Sequence, residues 1–305
     1  VLYITQSFLV KRGQERKMNG ILKNKKAFLV FLLPALVFYL VSVFYPIAES
    51  IRFSFIKWGG LGPKQFVGLQ NYITLFTKDP LFWKALKNTV ILMAFSTPIT
   101  VFLGLVVAYL LFDISRGKRL YQTVNFFPYI TTPVAIGFIF SYLFDWQSGY
   151  VNKLLTSIGI LDEPFYWLNS EIASKVIIVI MIVWRYLGYY MTIYLAAMTS
   201  MPMEVYEAAA VDGASNLKIF TRITIPMLRH TTVFLVITSM IGGLQMFEEP
   251  KLLFGGWAAL GGAQTGGPGN TALTVVWKFY NDAFNLDSKL GYGSAIAYSL
   301  FVIIM

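Results

Sequence analysis

Arg185 is the one charged residue in an apolar run from 176 to 200, and Trp184, Tyr186, Tyr189 and Tyr190 stand around it. Charge inside hydrocarbon costs at least about 2.5 kcal/mol on insertion scales, so an ion at such a place faces protein or a wet cavity. A guanidinium pairs bidentately with carboxylate, and aromatic faces hold groups that are apolar on one side and hydroxylated at the rim, as sugar rings are. These residues fit a binding position for a saccharide, and the arginine admits an acidic one such as a uronate. The competing reading is that Arg185 snorkels or bonds a helix carbonyl while the rings fill core or face lipid. Gln245 and Glu248, at the end of a later apolar run, are further polar candidates.

A second constellation occupies the polar segment 201–229. Glu204 to Ala210 are helix formers that follow Pro202, a helix-start signal. Asp212 and Gly213 supply a turn, because glycine reaches positive φ without a Cβ clash. Asn216 to Thr224 form a second helical piece that ends toward Pro226, and Leu217, Phe220 and Ile223 recur at i, i+3 and i+6 as one apolar face. The pattern predicts a short helix, a glycine bend and another short helix.

Other chemistries are excluded. The sequence has no cysteine and one histidine, His230, which removes thiolate catalysis and multi-histidine metal sites. No G-x-x-x-x-G-K-[ST] phosphate loop is present; residues 116–119, Arg-Gly-Lys-Arg, lack its spacing and hydroxyl. No set of acids, Ser/His pair or metal ligands lies within the apolar runs, as an intramembrane enzyme would require.

The elements that position these residues follow from composition. The 305 residues are 56% apolar and 13% charged, with a mean hydropathy of +0.62, against about 25% charged in a soluble domain. A helix needs roughly 20 apolar residues to cross a bilayer. Five runs meet that length, at 27–48, 88–112, 120–144, 176–200 and 230–247, and a sixth, 290–305, is cut short at sixteen residues. The expected fold class is an all-α membrane protein of six transmembrane helices, with a C-terminus that continues beyond Met305. The run 27–48 is longer than a secretory h-region and has no cleavage site after it, so it reads as an uncleaved first span.

The net charge of +10 could suggest nucleic acid, but no basic water-soluble surface exists to bind it. The basic residues lie at the ends of apolar runs, where they set orientation and meet anionic membrane lipid. Residues 1–26, with Lys11, Arg12, Arg16, Lys17, Lys23, Lys25 and Lys26, form a cytoplasmic N-terminal tail, and Arg116, Lys118 and Arg119 mark a second cytoplasmic turn. The loops 49–87 and 145–174 and the Gly-rich stretch from Gly255 to Gly269 then lie outside, and both termini lie inside.

Glu207, Ala208, Ala209, Asp212, Gly213, Ala214, Phe220, Ile223 and Pro226 resemble, at fixed spacing, the EAA loop of the permease subunits of binding-protein-dependent ABC importers. The resemblance spans nearly the whole chain. Gly266-Gly267-Pro268-Gly269, and Ala283-Phe284 followed by 291–295, look like the approach to the last helix in the carbohydrate-uptake branch, the maltose/glycerol-phosphate/multiple-sugar type. Residues 255–264 look like an insertion relative to that pattern.

The resemblance implies a type I importer permease fold over 27–305, with the EAA loop 201–229 as a cytoplasmic coupling helix between helices 4 and 5. It implies that Glu207, Ala208, Ala209, Asp212, Gly213, Ala214, Phe220 and Pro226 contact a cytoplasmic ATPase. Sugar contacts carried over from the maltose permease fall near Arg185, Tyr186 and Tyr189, then Ser239, Gly242, Gly243 and Met246; Trp184 and Gln245 stand beside them. The implied partners are a second homologous permease, two ABC ATPase subunits and an extracytoplasmic solute-binding protein, in a bacterial or archaeal cytoplasmic membrane. No cofactor binds this chain, and ATP and Mg belong to the partner ATPase. The rival reading, an ATP-independent secondary transporter or channel, predicts inverted repeats with broken helices, and the sequence has no such repeat.

Overall fold

The computed structural model describes residues 25–114, 116–258, 266–285 and 289–305. The tail residues up to Lys23, and Gly261 and Gly262 of the Gly-rich loop, lie outside the described residues.

Helix α1 (25–54) is Lys25–Tyr39, a π turn Leu40–Phe44 and Tyr45–Ser54 in continuous succession. A short hairpin follows, β1 (Ile56–Lys57) against β2 (Gln65–Phe66), antiparallel with Ile56 opposite Phe66. Then come α2 (Gln70–Lys78), α3 (Pro80–Phe112), α4 (Lys118–Ile130), α5 (Pro133–Leu143), α6 (Tyr150–Ser157) and α7 (Glu171–Thr199). Helix α8 is Met203–Val211, and α9 (Asn216–Met227) leads into α10 (Arg229–Leu244). The last are α11 (Glu248–Ala258), α12 (Val275–Phe284) and α13 (Leu290–Ile304).

Among the described residues, three helices (α1, α3 and α7) are long and apolar enough to cross a membrane, and five spans result if each bent pair counts as one. The expected third run, 120–144, is such a pair: α4 and α5 meet at 93°. Thr131 and Thr132 are extended there, because the ring of Pro133 bars the helical conformation to the residue before it. The expected fifth run is helical only over Arg229–Leu244; it joins α9 at 68°, and 248–258 is helix where a Gly-rich loop was expected. Expected loops also shorten, since α3 begins eight residues before 88 and α6 lies within 145–174.

Both π turns sit just ahead of a proline, Leu40–Phe44 before Pro46 and Phe220–Thr224 before Pro226. A proline inside a helix removes one N–H and crowds the carbonyl four residues back; the wider π turn takes up that misfit without breaking the helix. For this reason α9 runs through Pro226 to Met227 rather than stopping before it.

Helices α3 and α7 run parallel and build two apolar clusters. The N-terminal part of each, with Phe82, Leu92, Ile178 and Met181, packs with Phe140, Leu253 and Trp277. The C-terminal part of each, with Leu105, Ala108, Tyr194 and Met198, packs with Leu228 and Leu235. Close approach is built in: a Cβ on Gly188 would run into the backbone of Asn125 and Phe126 on α4, and one on Gly104 would meet Tyr190. By contrast, the most apolar stretch of α1 has no residue buried by the other described residues.

The N-terminus of α3 is anchored by Asp79, whose Oδ1 accepts from the Leu81 and Phe82 N–H groups at 3.0 and 3.1 Å, with Pro80 at the first helical position. Its Oδ2 pairs with Lys278 Nζ at 2.7 Å and accepts from Tyr292 OH at 2.6 Å, joining α3 to α12 and α13. Burial pushes the Asp79 carboxyl up, but the hydrogen bonds from Lys278 and Tyr292, the lysine charge and the Phe82 N–H together hold it below the ordinary aspartate value. Its contribution to stability is complete above the unfolded-state value and is lost as pH falls through the lower folded one. Asp79→Ala is expected to cost about 2 kcal/mol, roughly half from the cap, and Asp79→Asn less. Thermal unfolding of the detergent-solubilised protein measures both, and acidification below the carboxylate range narrows the difference between Asp79→Asn and wild type.

Candidate functional site

A cavity of about 230 Å³ lies where the two apolar clusters leave a gap between α3, α4, α7 and α10. On α3 the gap falls between Leu92 of one cluster and Val101 of the other, and Ser96 and Thr100 face it. On α7 it falls between Met181 and Met191, and Tyr186, Tyr189 and Tyr190 line it. Helix α10 adds Thr238, Ser239, Gly242 and Gly243, and the loop after it adds Met246. The wall is thus mostly hydroxyl and ring. In a low-dielectric interior a hydroxyl without a partner is costly, and helical Ser and Thr solve this by bonding their own backbone, as Thr100 Oγ1 does to Ser96 O at 2.7 Å. Ser239 Oγ instead donates across to Thr97 Oγ1 at 3.0 Å, which ties α10 to α3 beside the cavity.

The rings are ordered by one another. Tyr129 of α4 stacks on Tyr189 with centroids 4.9 Å apart and planes at 21°, and meets Tyr186 edge-on at 5.8 Å. Tyr189 in turn meets Tyr190 at 86°. The result is a wall of aromatic faces with hydroxyl tips, each ring placed against its neighbour.

Arg185 stands midway along α7 and is 11% exposed. Its Nη1 donates to Glu249 Oε1 at 2.7 Å and to Glu248 Oε2 at 3.4 Å. Tyr186 OH donates to the same Glu249 Oε1 at 3.1 Å, and the guanidinium lies 5.2 Å from the Tyr186 ring centre. Glu249 lines the cavity and is 8% exposed, whereas Glu248 is 53% exposed. Arg185 is therefore paired with a carboxylate of its own chain, while its Nε is buried without a hydrogen-bond partner among the described residues. Neither helix-carbonyl bonding nor snorkelling describes it.

Of the substrate-pathway residues expected from sequence, Tyr186, Tyr189, Ser239, Gly242, Gly243 and Met246 line this one cavity. Arg185 stands behind Glu249. Trp184 is not on the wall; it is 42% exposed, with its ring 5.7 Å from Phe140. Gln245 is exposed and closes the end of α10, its N–H bonding to Gly242 O and Ile241 O. The sequence reading missed Glu249, Tyr129, Ser96 and Thr100. A signal for the last two existed: Thr89, Ser96, Thr97 and Thr100 form a small polar stripe on one face of an apolar helix.

The segment 201–229 forms the expected helix, bend and helix at the far end of α7. Ala214 N–H bonds to Ala209 O and Gly213 N–H to Ala210 O, with Gly213 at φ +69°, so α8 closes in a Schellman motif that only a left-handed residue completes. Glu207, Ala208, Asp212 and Gly213 are exposed, Ala209 is buried, and Ala214 is half-buried. The expected apolar face of α9 is divided. Phe220 is half-buried with its ring 4.6 Å from Tyr109 of α3, Leu217 is 71% exposed, Pro226 is exposed, and the apolar residue buried deepest is Ile219. Tyr109 OH also donates to Asn216 O at 2.9 Å.

Over residues 89–305 the chain matches the family described as binding-protein-dependent transport system inner membrane component. It is 36% identical over 276 residues to the lactose transport system permease protein of Rhizobium radiobacter, covering 90% of this chain and 89% of that one. It is 31% identical over 284 residues to the arabinooligosaccharides transport system permease protein of Bacillus subtilis, covering 92% and 86%. In fold it is similar to a chain in the crystal structure of a bacterial alginate ABC transporter in complex with its alginate pentasaccharide-bound periplasmic protein, with a TM-score of 0.75, 21% identity and coverage of 94% and 92%.

Two glycines separate wall from packing. A Cβ on Gly242 meets nothing within 4 Å, whereas one on Gly188 meets α4 backbone. Gly242→Ala is expected to stay within about 0.5 kcal/mol of wild-type stability, and Gly188→Ala to lose about 1–3 kcal/mol by overpacking. The midpoints of thermal unfolding in one detergent check the order.

Proposed function

The chain belongs to the binding-protein-dependent transport system inner membrane components, and on that premise we propose how this subunit passes a saccharide across the membrane. It is a permease subunit of a sugar importer and is not itself catalytic. In the proposed assembly it crosses a bacterial or archaeal cytoplasmic membrane six times, through α1, α3, α4–α5, α7, α9–α10 and α13, with its N-terminus inside. It pairs with a second permease and two ATPase subunits that carry ATP and Mg, and it receives sugar from an external binding protein. Exposure of the apolar faces of α1 supports the second permease and lipid as neighbours.

Helix α8 is the contact with the ATPase, and the observation that carries this reading is its connection to the cavity wall. Tyr206 of α8 hydrogen-bonds Met201 Sδ at 3.3 Å and lies 3.4 Å from Thr224 Oγ1 of α9. Helix α9 packs on α3 through Phe220 and Tyr109 and turns directly into α10, which carries Thr238, Ser239, Gly242 and Gly243. A rigid-body push on α8 therefore moves one wall of the cavity relative to α7. Closure of the ATPases opens the cavity outward to the docked binding protein, and sugar leaves inward after hydrolysis.

The hydroxyl and ring lining supports a saccharide as cargo, as does similarity to relatives named for lactose and arabinooligosaccharide transport. Gly213→Val places a β-branched residue at a left-handed position and unravels the end of α8; Glu207→Lys reverses the exposed charge. Each is expected to reduce ATPase copurification from detergent extracts by about tenfold or more while the two permeases stay together. Uptake into vesicles that lack any ATPase would contradict the reading.

A further inference from the structure

We propose that Glu249 is the specificity-determining residue of the cavity, accepting a hydrogen bond from a hydroxyl of an uncharged saccharide and excluding anionic ones. The proposal rests on the sugar-importer reading of the same cavity. Among the described residues both hydrogen bonds that Glu249 receives, from Arg185 and Tyr186, end on Oε1; none ends on Oε2, and Glu249 is among the residues that line the cavity. A carboxylate accepts through two oxygens and about four lone-pair sites, so the acceptor capacity is there. Ser239, Thr238, Tyr189 and Tyr190 on the opposite walls offer the complementary hydroxyls.

The charge balance sets the selectivity. Arg185, one cation, faces two carboxylates, Glu248 and Glu249, and no Lys, Arg or His is among the residues that line the cavity. The ion cluster is net negative, and the residue presented to the ligand is the acid. A uronate or other anion brought to Glu249 meets like charge on a lining that carries no cation of its own, and like-charge juxtaposition is a strong basis for rejection. Arg185 is a positioning residue: from behind, its Nη1 donates to Glu249 Oε1 at 2.7 Å and fixes where the carboxylate stands.

The test uses the whole importer, both permeases with their ATPases, in detergent, and measures equilibrium binding of methyl β-galactoside and methyl β-galacturonide, which differ only in oxidation at C6. Wild type is expected to bind the neutral probe about tenfold or more tighter. Glu249→Gln brings the ratio to within about twofold, and Glu249→Asp keeps the preference. The double variant Arg185→Met, Glu249→Gln removes both buried charges, leaves of the cluster only Glu248, which is 53% exposed, and also loses the preference. An importer that retains its ATPases yet binds the galacturonide as tightly in wild type, or keeps its neutral preference in Glu249→Gln, overturns the assignment. A preparation in which the chain holds no ATPase overturns the importer reading itself, and the proposal with it.

Discussion

A guanidinium buried at the middle of a long apolar helix persists only where a carboxylate meets it, and that requirement organises this molecule. Arg185 and Glu249, 2.7 Å apart, fix α11 against α7 across 64 residues of sequence. Taking both ions out of water is expensive, and their attraction compensates only with good geometry and further hydrogen bonds. Tyr186 supplies one of these. The pair is therefore better understood as a device that sets position than as a source of stability: it dictates where the segment after α10 returns to the bundle and which face of it meets the cavity.

The same constraint explains why the cavity lies where it does. Two apolar clusters hold the ends of α3 and α7 together, and Ser96, Thr100, Tyr186, Tyr189 and Tyr190 of the two helices face the gap between them. Hydroxyls bond to their own helix or to a neighbour, as in Ser239 to Thr97, and the tyrosine rings order one another. Beyond this gap, Thr274 Oγ1 donates to Met246 O at 2.8 Å and caps α12, while Asn88 donates to Asn270 O and Leu273 O. The chain that follows α11 is thus pinned to α3 by buried side-chain bonds to backbone, the kind of satisfaction that hydrocarbon demands of any irregular segment.

Much of this was legible in the sequence, for identifiable reasons. Long uncharged runs and flanking lysines and arginines locate spans, and Gly213 after an alanine-rich stretch announces the end of α8 because glycine takes φ +69° without a Cβ clash. Six of the nine expected pathway residues line one cavity. The bend at Thr132 was available in principle, since Pro133 restricts its predecessor, but hydropathy averages over such a break. Glu249 was out of reach for a different reason. It lies beyond the end of an apolar run, so one-dimensional reading assigns it to water; only the turn after α10 brings it back against Arg185. Likewise a single arginine in a span signals function without naming its partner, and the partner decides what charge the cavity presents.

The central claim, that the gap between the two clusters is the route of the saccharide, can be tested with thiol chemistry because the sequence contains no cysteine. Ser239→Cys places a thiol on the cavity wall, and Ile237→Cys places one on a face of α10 that is 52% exposed away from it. In the assembled importer, a membrane-impermeant thiol reagent should modify the cysteine at 239 and not that at 237, and saturating substrate-loaded binding protein under turnover should slow the modification at 239 by about tenfold. Equal labelling of the two positions, or labelling at 239 that substrate leaves unchanged, would contradict the account.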